Sequence, residues 1–238
     1  MNIIRHHREK ILAQKTAHES ASAGDTTLEG RNEYELMLAQ LQTDATALRS
    51  MQSIEKRIEL KLDLVPRYDA YVAGILAADE NVQDDVLMTQ LVWRIDIGAF
   101  EDAYAIALHA LKHQLVLPHR FKRTLPTLLA EEFSEPVILA ENTPPSDTST
   151  PESSDKAKPL LSLDLLTDLL GQLKDQDMPD EVRAKLHKAI AFTLETTGEP
   201  ESLEEARPHY ERALQLDKKS GVKKRLEQLA RKLKAAAD

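Results

Sequence analysis

The sequence predicts an all-α protein, a helical bundle or hairpin array with a long N-terminal helix and tetratricopeptide-like hairpins. Three observations carry that prediction. The 238 residues include only 7 glycines, with aromatics at 4%. Ala, Leu, Glu, Gln, Lys and Arg, all good helix formers, dominate the rest. Apolar residues recur at alternating intervals of three and four, the period of a helix with one buried face.

The length suits one large domain or two small ones. No cysteine is present, so disulfides, thiolate metal sites and cysteine nucleophiles are excluded, and a reducing compartment is expected. No apolar run approaches the roughly 20 residues that cross a bilayer, and MNIIRHHREK has no leader-like apolar core. A protein of the cytoplasm, with no membrane partner, is therefore expected. The formal charge of −9 argues against indiscriminate binding to nucleic acid. Its distribution is uneven, because both ends are basic. Arg5, Arg8, Lys10 and Lys15 stand near the start, and Lys218, Lys219, Lys223, Lys224, Arg225, Arg231, Lys232 and Lys234 crowd the other end around a single acid, Glu227.

Four segments are expected: a flexible basic stretch over 1–31, a helical domain over 32–140, a Pro/Ser/Thr-rich linker over 141–159 and a second helical domain over 160–238. ASAGDTTLEG closes the first segment as a small, polar stretch. Residues 32–65 read as one amphipathic helix of about nine turns, with Tyr34, Leu38, Leu41, Ala45, Leu48, Met51, Ile54, Ile58, Leu62 and Val65 on its stripe. So long a helix needs a partner, either elsewhere in the chain or in a second copy of itself. Pro66 stops it and opens a helix over 66–78 that buries Tyr68 or Tyr71, Val72, Ile75 and Leu76.

Helices over 82–97 and 99–115 follow, joined at Gly98, with Asn81 as the expected N-cap and Trp93 in the core. Phe100, Ala103, Ala107, Ala110 and Leu111 have the spacing of the second helix of a tetratricopeptide repeat. Leu203, Ala206, Tyr210, Ala213 and Leu214 repeat those intervals 103 residues later, again after a glycine, Gly198. Pro208 breaks the likeness, because proline inside a helix costs about 3 kcal/mol. LPHRFKRTLP is a basic loop leading to a helix over 127–139. Between 141 and 159, ENTPPSDTSTPESSDKAKP has too little apolar surface to pack. Beyond it, helices are expected over 160–174, 179–196, 202–216 and 221–237.

Three groups of residues invite a chemical reading. Asp84 and Asp85 are the catalytic candidates, but neighbours on a helix diverge by about 100°. Asp96 lies roughly 16 Å from Asp85 along the axis at 1.5 Å per residue, so the three cannot share an ion held at about 2.0 to 2.6 Å. Acids in the first turn, favoured by the helix dipole, are the ordinary explanation. His109 and His113 have the i, i+4 spacing of zinc ligands, with His119 nearby, but no acid between them supplies a base. They are expected to be exposed and unliganded, and no metal is assigned. No phosphate loop or nucleophile elbow occurs.

The candidate nucleic-acid contacts are Arg120, Lys122 and Arg123 on the basic loop, with Lys223, Lys224, Arg225, Arg231, Lys232 and Lys234 on the last helix. Val222, Leu226, Leu229 and Leu233 form the opposite, apolar stripe of that helix. Its basic side is either a solvated face or a phosphate-contacting surface.

Two blocks, QDDVLMTQLVWRIDIGAFEDAYAIALHALKHQLVLPHRFKRTLP and DMPDEVRAKLHKAIAFTLE, resemble the small terminase subunit of enterobacterial-type temperate myophages, a family called terminase endonuclease subunits. The resemblance runs from about Tyr34 to Leu229. It implies recognition of the cohesive-end site on concatemeric double-stranded DNA, partnership with a large ATPase subunit, and homo-oligomers acting in the host cytoplasm. The family's endonuclease activity is implied as well, with Mg2+ as cofactor only if this subunit cuts DNA. No helix-turn-helix of the kind other small terminases use is visible. A non-catalytic helical-repeat adaptor that recruits the large subunit is the alternative.

Overall fold

The computed structural model describes residues 26–142 and 161–237, and among them every regular element is helical. Of the expected flexible stretch over 1–31, residues 1–25 lie outside the described residues and 26–31 are helical; of the expected linker over 141–159, residues 143–159 lie outside them. The chain divides into two compact units, Met1–Leu60 and Lys61–Asp238.

In the first unit, α1 (Thr26–Ser50) runs for 25 residues and α2 (Ile54–Leu64) begins after a break. The expected single helix over 32–65 is therefore two. Residues 51–53 leave the helical path, and the side chain of Arg57 turns back to donate to the carbonyl of Met51 at 2.8 Å. Ser53 caps the new start, its hydroxyl accepting from the Lys56 N–H at 3.4 Å. The break resets the phase of the apolar stripe. Leu41 and Leu48 are buried, whereas Ile54, which the uninterrupted pattern placed on the same stripe, is 71% exposed.

The second unit contains the rest of α2, a 3-10 turn (Val65–Tyr68), α3 (Asp69–Ala78), α4 (Asp85–Asp96), α5 (Phe100–Lys112), α6 (Leu125–Asn142), α7 (Leu163–Gln172), α8 (Asp180–Thr197), α9 (Pro200–Leu216) and α10 (Lys223–Ala237). Pro66 sits at the head of the 3-10 turn, where its missing N–H costs nothing. Tyr68 and Tyr71 are both buried, and Tyr68 meets Trp93 edge to face at 6.0 Å.

Two helical hairpins organise this unit. α4 and α5 turn at Gly98 with φ +78°, and α8 and α9 turn at Gly198 with φ +74°. Left-handed backbone is cheap only for glycine, so each turn is set by its residue. Phe100, Ala103, Ala107 and Ala110 are buried on α5, and Leu203, Ala206, Tyr210 and Ala213 are buried at the corresponding positions of α9. Gln83 ties the first hairpin at its open end, its amide exchanging two 2.9 Å hydrogen bonds with the backbone of Val116. Pro208 lies well inside α9 on an exposed position.

α8 is the hub. α6, α7 and α9 all pack on it, and Ala184, Leu186, Ala189, Ile190, Ala191 and Leu194 are buried along its length. Helices from the two sides of residues 143–160 thus share one core. Polar contacts reinforce the packing: Lys185 reaches Glu131 at 2.9 Å, Lys188 reaches Glu141 at 3.0 Å, and the Tyr104 hydroxyl donates to Asp168 at 2.5 Å.

Candidate nucleic-acid interface and titratable clusters

The aspartates at the head of α4 have separate surroundings. Asp84, not Asn81, is the N-cap: its Oδ1 accepts from the Leu87 N–H at 2.8 Å, and its Oδ2 accepts from the Tyr71 hydroxyl. Residues 81–83 are non-helical, which moves the start of the helix three residues beyond Val82. Asp84 is 4% exposed, and burial pushes its carboxyl above the usual range despite those hydrogen bonds. Asp85 is exposed in the first turn, and Asp96 pairs with Lys61 at the other end of the helix. The structure does not bring the three together.

A different cluster does converge. His109, expected on the surface, is only 6% exposed, because α3 packs against this side of α5. His113 Nε2 donates to Asp79 Oδ1 at 2.8 Å, His109 Nδ1 stands 3.6 Å from the same oxygen, and Lys112 takes Oδ2. Asp79 ends α3 in left-handed backbone at φ +52°. The Lys112 and His113 hydrogen bonds hold its carboxyl well down, at about 2, while burial pushes His109 down. Two imidazole nitrogens and a carboxylate oxygen lie within 4.8 Å of one another. That donor set suits zinc better than Mg2+, which prefers oxygen. Lys112 already neutralises the carboxylate, so an ion-pair network joining α3 to α5 accounts for the group. Asp79 carries no sequence signal for this role, because it stands thirty residues from His109.

The basic candidates divide by partner. On the loop, Arg123 is bound by Glu131 and Glu132 at 2.7 Å each. Arg120 donates to the Thr89 hydroxyl at 2.5 Å and lies over the Phe121 ring at 4.9 Å, while Lys122 is exposed. On α10, Arg225 pairs with Glu141 at 2.8 Å and Glu195 at 3.1 Å, and Lys232 reaches Glu195 at 2.7 Å. These two hold the helix onto α8 and the end of α6. Lys223, Lys224, Arg231 and Lys234 are exposed, and among the described residues none of the four pairs with a carboxylate. At about 100° per residue they fall on one side of α10, opposite Val222 and Leu229, which are buried. The result is a helix clamped by two cations, with four more turned outward.

The protein family described as phage small terminase subunit matches residues 38–181. The protein named "Terminase, endonuclease subunit" of Escherichia phage P2 is 36% identical over 228 residues, covering 96% of this chain and 84% of its own length. "Probable terminase, endonuclease subunit" of Haemophilus phage HP1 is 24% identical over 214 residues, covering 87% of this chain and 72% of its own. No solved structure matches. The matched region takes in the first hairpin, the basic loop and the start of the hub helix, and with that extent of likeness the chain belongs to the phage small terminase subunit family.

Proposed function

We propose that this subunit recognises the cohesive-end site of concatemeric phage DNA and, with a large ATPase subunit, directs the cutting and packaging of that DNA into procapsids. The broader role in phage DNA packaging follows from the family. The observation that carries the finer reading is the outward face of α10. Lys223, Lys224, Arg231 and Lys234 are exposed there without carboxylate partners, while Arg225 and Lys232 fix the helix in place. A rigid helix with unpaired cations on one side meets the requirement of a phosphate-contacting surface. Lys122 on the loop before α6 is a further exposed cation for the same purpose.

The test is binding of a labelled cohesive-end duplex across a salt series. Affinity should fall steeply with salt. Replacing Lys223, Lys224, Arg231 and Lys234 by Gln should flatten the slope of log K against log salt by about 3 to 4, near 0.9 per lost contact. An unchanged slope, or equal affinity for an unrelated duplex, would count against the proposal.

The relatives are named as endonuclease subunits. In this chain Asp84 serves as a buried cap, and our reading assigns it no catalytic part. Incubating the purified protein with Mg2+ and the cohesive-end duplex, without the large subunit, tests that assignment: cleavage lost in Asp84→Asn with an unaltered melting curve would reverse it. The adaptor reading is favoured only by the paired hairpins. It predicts that large-subunit capture survives the α10 substitutions while DNA binding is absent in the parent protein as well.

A further inference from the structure

Several cations of this unit pair with carboxylates of neighbouring helices. Arg94 has Asp69, Lys185 has Glu131, Lys188 has Glu141, and Arg225 has both Glu141 and Glu195. One cluster departs from that pattern. Lys174, Arg183 and Arg212 converge with His187 and His209 on an open cleft of about 680 Å³ between α7, α8 and α9; Thr167 also lines it, its hydroxyl donating to the carbonyls of Leu163 at 2.9 Å and Asp164 at 3.1 Å. No carboxylate lines the cleft, and among the described residues none of the three cations is in an ion pair.

The groups are nonetheless positioned. Arg183 donates to the carbonyls of Leu173 at 3.2 Å and Gln176 at 2.6 Å, which anchors its guanidinium at the cleft without neutralising it. Arg212 is steadied by Gln215 at 3.2 Å. The Nδ1 atoms of His187 and His209 lie 3.1 Å apart, so one ring donates to the other and both cannot carry that proton. Burial, and then the positive charge of His209, Arg212 and Arg183, push His187 down to about 4. At His209 burial again lowers the ring, and the charge of Glu205, one turn earlier on α9, opposes it.

We propose that this cleft is a phosphate-binding site that holds a phosphodiester of duplex DNA, separate from the outward face of α10. The proposal rests on the reading that the subunit binds DNA, and it adds a second contact. The shape favours a backbone phosphate over a free nucleotide. Small-ligand pockets bury most of their occupant and place apolar or aromatic walls against a base. This cleft is open and lacks Phe, Tyr and Trp, so it offers cationic donors to a phosphate and no aromatic platform to a base.

The experiment compares full-length wild type, the Lys174→Gln/Arg212→Gln double variant and the α10 quadruple variant on the cohesive-end duplex. Both changed residues of the double variant are exposed, so its melting curve should match wild type. Affinity should drop roughly tenfold and the salt slope should flatten by about 2, one contact per residue. Lys174→Arg/Arg212→Lys should restore both quantities. Duplex DNA should also raise the titration midpoints of the His187 and His209 ring protons in NMR spectra. If the double variant binds as wild type does while the quadruple variant is weakened, the cleft assignment fails and the α10 reading stands. If wild type does not bind the duplex, both fail. If inorganic phosphate or a mononucleotide saturates the cleft and duplex DNA does not compete, the phosphodiester assignment is overturned.

Discussion

Asp84 shows how a carboxylate that looks catalytic in a sequence can be consumed by the fold. Its two oxygens cap α4 and receive the Tyr71 hydroxyl in a site that is 4% exposed. Asp84→Ala should cost about 1 to 3 kcal/mol in urea denaturation, from the lost cap and the orphaned hydroxyl. Asp84→Asn keeps an acceptor for the Leu87 N–H and should cost less; equal losses would refute the cap assignment. Glu195 is a second buried acid, receiving Tyr210 at 2.9 Å as well as Arg225 and Lys232. Burial alone would raise its carboxyl, but the Lys232 and Tyr210 hydrogen bonds and the nearby positive charges outweigh that and lower it from 4.5. A lowered carboxylate contributes stability that is present above its unfolded value and is lost as pH falls through the folded one. The gap in melting temperature between wild type and Glu195→Gln should therefore be widest near neutral pH and narrow below about 4.5. A gap independent of pH would contradict this.

At the scale of elements, the two hairpins share one construction: a left-handed glycine, then small or apolar residues that let the second helix approach the first. Nothing lies within 4 Å of a Cβ built on Gly98 or Gly198, so the penalty of adding one is conformational. Gly98→Ala and Gly198→Ala should each cost about 1 to 2 kcal/mol, measured by chemical denaturation. A loss above about 3 kcal/mol would show that packing also depends on these glycines. Pro208 interrupts the hydrogen-bond ladder of α9 on its exposed side. Pro208→Ala should raise the melting temperature, since it restores an N–H to the helix and removes a ring clash; a lower value would mean that the proline serves the packing of α9. Both turns and the matched spacing were legible in the sequence because they depend on local backbone preference and helical period. The break at residues 51–53 was not, because the apolar period continues across it and only the backbone shows that α1 stops.

At the scale of the molecule, α10 is held and presented by the same kind of residue. Arg225→Gln/Lys232→Gln should lower thermal stability and weaken DNA binding together, whereas the quadruple variant on the outer face should weaken binding and leave the unfolding free energy within about 1 kcal/mol. Melting curves beside binding curves separate the two, and a quadruple variant that unfolds early would refute the division. The sequence by itself determined the helical class, the glycine turns, the burial of Trp93 and the family likeness, all of which rest on periodicity and residue type along the chain. Tertiary structure decided which charges are free. Glu131, Glu141 and Glu195 claim Arg123, Lys185, Arg225 and Lys232 from up to 84 residues away, α3 buries His109, and three helices leave Lys174, Arg183 and Arg212 together around an open cleft. Desolvation and ion pairing act through space, and the neighbours that set them come from segments that no local pattern connects.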